Sequence, residues 1–525
     1  FSAVSFYSHI NAKIIMKKYK YPVIMIALII MSYLVNTFIY KRDSTAPHLA
    51  TLALFLCTFI LLNNTKWYSV ITGFIITLIF SLEVAYFAEF HEKISTGVID
   101  SGMETNSSEA SAMLGHYIFS ILLPAIAVSL LITIFFRKKT LVLPRWFKIS
   151  PLIVCVFLLI SLVREAIADH RILMLSFRED PYEPGRYLRD KFPVVAGNLL
   201  YIAGAAVSND RYAEEYTDRK LNNAVIAGNK PENKVIVFVI GESSSPSRYH
   251  IYGYPGETTP EMERIFTGSG SCATEKVHSS APITRNSISL SLSFYTPESE
   301  ENLFREKSII EMAQDQGYKT YWLGAQPVFG VHGSKYGFIA NKSDVITVDE
   351  DNDMALPGLL KKALSEPEEY KFIIVHLLGS HKPYANYTET EKNQFSDDYD
   401  RTIRYTDRVM GHLYDEITAA ADDYTLIYTS DHGELIGKGH GFTTGSEQFM
   451  IPFLYKSANS SFDCQFIEKY RNQDSWLSGL MNKYILSELL GYSLNQKVVE
   501  SEKNNDRILS AEDYSVPFHF YLEEN

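Results

Sequence analysis

Five apolar runs crowd the first 165 residues, and nothing else in the chain narrows its fold so sharply. They are Tyr21–Tyr40, Pro47–Leu62, Tyr68–Phe90, Met113–Phe136 and Ile149–Val163. A helix needs roughly 20 apolar residues to cross the hydrocarbon core. The first, third and fourth runs reach that length, and the second and fifth are shorter but uncharged. A cleavable signal peptide would account for the first run only. The expectation is therefore a bundle of five spans. With 46% hydrophobic and 21% charged residues overall, the polar residues must be concentrated elsewhere, and from about residue 165 the chain has the mixed composition of a globular protein.

Lys and Arg in the short loops orient such a bundle. Lys13, Lys17, Lys18 and Lys20 precede the first run, Lys66 lies between the second and third, and Arg137, Lys138, Lys139, Arg145 and Lys148 lie between the fourth and fifth. The loop from His91 to Ala112 is acidic instead, with Glu92, Asp100, Glu104 and Glu109. An inside N-terminus and five crossings place everything after about residue 165 outside. Lys41 and Arg42 run against this scheme. Glu83 falls within the third run, where a carboxylate either marks function or reaches the interface near the span's end; the second reading is preferred. The expected organisation is a transmembrane domain over 1–165, a connector with interfacial helices over 166–232, and an external catalytic domain over 233–525. Within the connector, Phe192–Val207 suits either an interfacial helix or a core helix of the soluble domain.

A net charge of −12 with no basic stripe argues against nucleic acid as a partner. The four cysteines (Cys57, Cys155, Cys272, Cys464) form no metal-spaced cluster, and two of them lie in apolar runs. Cys272 and Cys464 are free to pair in an oxidising compartment, a choice spacing does not make.

From Lys234 onward, short β-branched runs alternate with helical patterns, the mark of an α/β domain with a largely parallel sheet. Candidate strands are Lys234–Ile240, Lys319–Leu323, Lys371–Leu377 and Tyr424–Tyr428. Three of them run into polar residues: Gly241-Glu242-Ser243-Ser244, Leu378-Gly379-Ser380-His381, and Thr429-Ser430-Asp431-His432-Gly433-Glu434. Ligands of open parallel sheets bind at the carboxyl ends of strands. A carboxylate, an imidazole and an Asp-His pair are thus expected on one sheet edge, with His440 in a loop just beyond. Oxygen and imidazole donors suit zinc, with manganese as the alternative. Group transfer also needs a hydroxyl nucleophile. Ser279, Ser280, Thr284 and Ser287, leading into a helical pattern, and Thr274 all qualify; composition does not choose among them.

These motifs resemble the phosphoethanolamine transferases of Gram-negative envelopes, whose soluble part has the alkaline phosphatase/sulfatase fold. Gly241-Glu242-Ser243 with Tyr252-Gly253-Tyr254 and Thr258-Thr259-Pro260, the strand Tyr318–Leu323, the helix Tyr399-Asp400…Ile403-Arg404-Tyr405-Thr406-Asp407, and Ser430–Glu434 are similar to the family's blocks. The resemblance implies one zinc ion, or two, held by Glu242, Asp431 and His432. Thr284, set in Val277…Ser280…Pro282…Thr284…Leu290, would complete the coordination as the nucleophile. His381 and His440 would bind the transferred phosphate and serve as acid or base. Ile99-Asp100…Met103-Glu104-Thr105…Glu109-Ala110 resembles the family's donor-binding loop, so Thr105 and Glu109 would contact the headgroup; about five residues of the family's loop, including an Asn, are missing. The family's Lys and Ser after its Trp-Leu strand have only loose counterparts in Gln326 and Ser334-Lys335.

The activity so implied is ping-pong transfer of phosphoethanolamine from phosphatidylethanolamine to a sugar of an envelope glycan or glycolipid: lipopolysaccharide core, O-antigen, lipid A or periplasmic glucan. The enzyme would be a monomer, multi-pass in the inner membrane, with its catalytic domain in the periplasm. The alternatives are a phosphoglycerol transferase of the same fold and a non-catalytic glycan-binding envelope protein. A sulfatase lacks support, because no CxPxR motif occurs.

Overall fold

The structure, a computed structural model, describes residues 19–41, 44–104, 115, 117–138, 141–168, 182–192, 194–208, 216–328, 335–350 and 352–523. The chain divides into two compact units. One comprises Phe1–Ile94 and Leu114–Ser208, the other Ser95–Met113 and Asn209–Asn525.

The first unit contains five helices that are long and apolar enough to cross a membrane: Tyr19–Ile39, Thr45–Leu62, Trp67–Phe90, Ile118–Arg137 and Arg145–Glu165. Each predicted run is helical over most of its described residues, and the ends shift by a few residues, as where Arg145–Lys148 extend the fifth at its start. Leu56, Phe59 and Phe147 pack between helices, while Val23, Ile30, Leu131 and Leu152 face outward. Such an apolar exterior suits lipid rather than water. Inside the bundle, polar groups pair with one another, as burial in an apolar medium requires. Asn36 Nδ2 donates to Thr51 Oγ1 at 2.9 Å, and Tyr40 Oη to Glu83 Oε2 at 2.7 Å. Glu83 is thus buried (6% exposed) and hydrogen-bonded to Tyr40, which directly follows the first span. Phe192–Val207 is represented by a helix over Val194–Ser208 packed on a second, Tyr182–Lys191, in the same unit. A core helix of the soluble domain is thereby excluded.

The second unit is organised by a seven-stranded sheet. Its strands, numbered for this sheet, are β1 (Val235–Gly241), β2 (Ser271–Thr274), β3 (Lys319–Gly324), β4 (Val345–Val348), β5 (Lys371–His376), β6 (Tyr424–Ser430) and β7 (Phe453–Ser457). The spatial order is β2-β7-β6-β1-β5-β3-β4. Five strands are parallel, and β7 and β2 add antiparallel to one side. Every residue of β1 is buried because the sheet is covered on both faces, which the continuous apolar run VIVFVI anticipates. The pleat sends Val235, Val237 and Val239 to one face, against Ile403, Val409, Met410, Leu413 and Ile417 of the helix Asp398–Ala420. Ile236, Phe238 and Ile240 point to the other, towards Ile288, Leu290 and Leu292 of the helix Thr284–Leu292.

Register decides where the chemistry falls. Ile240 pairs with His376 on one side and with Thr429 on the other. The three central strands thus end level, and Glu242, the turn after Leu377, and Asp431 emerge at one edge. Cys272 on β2 and Cys464 form a disulfide spanning 192 residues of sequence.

Candidate metal centre

Glu242, Asp431 and His432 converge at that edge, each fully or almost fully buried. His432 Nε2 lies 3.3 Å from Glu242 Oε1 and 3.2 Å from Asp431 Oδ2. Its Nδ1 is 2.9 Å from the carbonyl of Gly433, which accepts only from a protonated nitrogen. That contact places the lone pair of a neutral imidazole on Nε2, facing the carboxylates. Asp431 Oδ2 is enclosed without a hydrogen bond. Two carboxylates and an imidazole lone pair aimed at one another repel unless a cation or a proton lies between them. The donor set and the orphaned oxygen fit a zinc ion.

The charge balance points the same way. Burial pushes Glu242 up, but the positive charge that His432, His381 and His440 carry when protonated outweighs it and holds the carboxyl well below the usual carboxylate range. Burial, reinforced by the charge on Glu242, pushes Asp431 well above that range. One carboxylate keeps its charge at the expense of the other, the pattern a divalent cation relieves.

Among the hydroxyls left open by composition, the geometry brings Thr284 to this cluster. It opens the helix Thr284–Leu292, with Oγ1 3.0 Å from Glu242 Oε2 and 3.3 Å from His432 Nε2. A helix start offers free backbone N–H groups and a positive dipole end to an anion. Ser287, one turn on, donates instead to the Asp431 carbonyl and Ser279 to that of Ala281. Ser280 is buried near Ser287, and Thr274 lies on β2, buried with its hydroxyl unpaired.

His381 and His440 stand beside the cluster, their rings 5.7 Å apart, and His440 lies 4.1 Å from His432. With Glu242 they form a second group able to hold an ion. His440 Nδ1 is 3.0 Å from Glu434 Oε2, and Tyr384 Oη donates to the other oxygen of Glu434 at 2.7 Å. His381 Nδ1 is 2.8 Å from the Lys382 carbonyl. Its turn hangs on Asp353, whose buried carboxylate accepts from Leu378 N (2.7 Å), Gly379 N (3.0 Å) and Asn386 Nδ2 (2.7 Å). Gly379 adopts φ +57°, and a Cβ there would come within 2.9 Å of the Glu242 backbone, so the turn passes Glu242 only without a side chain. Ser243 holds φ +53°, donating from Oγ to Glu242 Oε1 at 2.7 Å. Sequence reading singled out neither Asp353, Ser243 nor the role of Glu434. Ser243, within the Gly241-Glu242-Ser243 block, and Glu434, within Ser430–Glu434, carried a signal, and Asp353 carried none.

Of the two loose candidates, Gln326 reaches the site, donating from Nε2 to Glu242 Oε2 at 3.3 Å. Lys335 is instead buried against Glu300 and Tyr295; Ser334 lies outside the described residues, as do Thr105 and Glu109.

The sulfatase family profile matches residues 234–482. The phosphoethanolamine transferase EptC of Escherichia coli (strain K12) is 26% identical over 398 residues, covering 67% of this chain and 66% of its own. The chain thus spans slightly less than two thirds of that relative. The zinc complex of the C-terminal periplasmic domain of EptC from Escherichia coli superposes with a TM-score of 0.50 at 24% identity, covering 58% of this chain and 97% of that domain. The integral membrane lipooligosaccharide phosphoethanolamine transferase A of Neisseria meningitidis superposes with a TM-score of 0.58 at 16% identity, over 85% of this chain and 88% of that one. It shares the arrangement of apolar helices followed by this α/β domain. Residues 234–482 thus match the sulfatase family profile, and the chain is similar, at 26% identity or less, to these proteins named phosphoethanolamine transferases.

Proposed function

We propose that this protein transfers phosphoethanolamine from phosphatidylethanolamine to a sugar hydroxyl of an envelope glycan or glycolipid, with Thr284 as the covalent carrier. The observation that carries the reading is the place of the Thr284 hydroxyl, at a helix start and within 3.0–3.3 Å of Glu242 and His432. The names of the relatives supply the group transferred. Glu242, Asp431 and His432 would hold a zinc ion with Thr284, and His381 and His440 with Glu242 have the donor set for a second. Bound zinc would supply Lewis-acid charge that acidifies a hydroxyl and offsets charge on phosphoryl oxygens.

In the first half-reaction, Thr284 Oγ1 gives up its proton and forms a bond to phosphorus as the bond to the diacylglycerol oxygen breaks. That oxygen takes a proton and diacylglycerol leaves. In the second, a sugar hydroxyl attacks phosphorus, its proton is removed, and Thr284 is regenerated. His440 suits the proton transfers, because Glu434 holds its Nδ1 and leaves Nε2 for the reacting groups. With His381, it also faces the oxygens where transition-state charge gathers. Thr105 and Glu109 are proposed to meet the ammonium headgroup.

Five membrane-length helices would tether such a site to the bilayer that holds a donor unable to leave it cheaply. The inferred location is the inner membrane, with the catalytic domain in the periplasm and the protein acting as a monomer. A disulfide in the soluble unit agrees with an oxidising compartment. Intact-mass analysis after incubation with phosphatidylethanolamine is the test. Addition of one phosphoethanolamine, absent in Thr284→Ala, is expected. An unmodified wild-type protein with zinc bound would sink the intermediate, and a phosphoglycerol adduct from phosphatidylglycerol in its place would identify the other donor.

A further inference from the structure

The stretch after the third apolar helix does not group with the helices around it. Ser95–Met113 belongs to the second unit, and its described part is tied into the catalytic domain. Ser95 Oγ donates to the Gly441 carbonyl at 2.6 Å, and Thr96 Oγ1 (2.7 Å) and Gly97 N (2.9 Å) both donate to the Ala511 carbonyl. A Cβ on Gly97 would lie 3.4 Å from Ile283 Cγ2 and 3.5 Å from the Gly441 carbonyl, so the first turn of the helix Thr96–Glu104 runs close against both. Further along, Asp100 is completely buried, and its Oδ1 lies 3.6 Å from Nη1 of Arg285, itself only 3% exposed. The partners are informative. Ile283 and Arg285 flank Thr284, and Gly441 follows His440.

A buried guanidinium and a buried carboxylate are bound to each other's position. Neither can turn to water, and removing one deprives the other of a nearby opposite charge. Arg285 lies in the first turn of the helix that Thr284 opens. That turn is also tied by Asn286 Nδ2 to Asp513 Oδ1 (3.0 Å) and by Ser287 Oγ to the Asp431 carbonyl. Asp100 thus adds a tie from a distant segment of the chain to the turn that Ser287 links to Asp431. A shift of the turn by an ångström would take Thr284 Oγ1 out of range of Glu242 and His432, and misplacement on that scale can cost about 100-fold in rate.

We propose that Asp100, in the loop between the third and fourth apolar helices, is a positioning residue for Thr284, acting through Arg285, and that the Ser95–Asp100 strap holds the Thr284 and His440 segments in register. The proposal deepens the reading of Thr284 as carrier and rests on it. It makes part of the anchor's own loop a component of the catalytic domain, so that the reacting hydroxyl is aligned only when this loop is seated.

The test uses the full-length protein in mixed micelles and follows the rate of Thr284 modification against phosphatidylethanolamine concentration. Asp100→Asn and Arg285→Met are each expected to lower kcat by about 10- to 100-fold. The double variant Asp100→Leu/Arg285→Met removes both buried charges at once and is expected to recover much of that loss, which a general loss of folded protein would not do. Hydrogen exchange supplies a readout independent of activity. Peptides covering 279–292 and 436–445 should exchange faster in Asp100→Asn, with the rest of the sheet unchanged. Wild-type kcat together with wild-type exchange in Asp100→Asn overturns the proposal, as does a double variant in which the two single losses multiply. A wild-type protein that never becomes modified refutes the carrier role of Thr284 instead; exchange over 279–292 then decides the positioning role by itself.

Discussion

Two of the histidines proposed to act at this site are held by a neighbour at Nδ1, which leaves Nε2 for the proposed ligand or substrate. His432 uses Nδ1 on a carbonyl, and His440 uses it on Glu434. Outer partners of this kind set tautomer and basicity, and their loss costs about 10- to 100-fold in metal affinity or activity. Glu434→Gln is therefore expected to lower transfer by about that factor while leaving the Thr284 hydroxyl present, as a rate comparison by intact mass would record. Away from the site, Glu298 offers a pH prediction. Burial works to raise its pKa, but the Arg507 guanidinium (2.6 and 3.0 Å) and the Ser515 hydroxyl (2.6 Å) outweigh it and draw the carboxyl down to about 2. A carboxyl whose folded pKa lies below its unfolded value stabilises the fold above the unfolded value. That contribution is lost as pH falls from about 4.5 through about 2. Glu298→Gln should flatten the loss of thermal midpoint across this acid window. The effect is modest, because the side chain is half exposed and screened by water.

At the scale of elements, the short antiparallel pair β7 and β2 closes one side of the sheet, and the Cys272–Cys464 disulfide ties β2 to the helix Cys464–Glu468. Closing so long a loop restricts the unfolded chain strongly. Cys272→Ser is expected to cost about 2–5 kcal/mol in urea unfolding. The turn at Gly379 makes an opposite demand, close approach with a positive φ. Gly379→Ala would press a methyl group against the Glu242 backbone and displace the ligand. Loss of zinc stoichiometry, measured on the purified protein, is the expected consequence, with the sheet retained by circular dichroism.

For the whole molecule, a metal that binds only the folded state stabilises it by mass action, about 3–4 kcal/mol at 100 to 1,000 times its dissociation constant. Chelation should lower the thermal midpoint of the soluble unit and zinc should restore it, with a smaller shift in Asp431→Asn. The five spans, the alternation of strands and helices, and Glu242, His381 and the Asp431-His432 pair at strand ends were legible in the sequence, because hydrophobic run length and local periodicity are one-dimensional properties. So was the amphipathic face of Ile403, Val409 and Met410. Strands β2, β4 and β7 were not, being short or at the sheet's sides, where pairing partners rather than local pattern decide. The choice of Thr284 among five hydroxyls rested on resemblance until register brought its helix start to Glu242, 42 positions away. Asp353 behind the His381 turn, the disulfide, and the Asp100–Arg285 pair, 185 positions apart in the chain (285 − 100), had no local signature at all. The sequence by itself determined which segments become helices, strands and spans, since each is settled by neighbours a few residues away. Only the tertiary structure decided which hydroxyl meets the ligands and which charges are buried together, because those depend on contacts between residues that the chain separates and the sheet reunites.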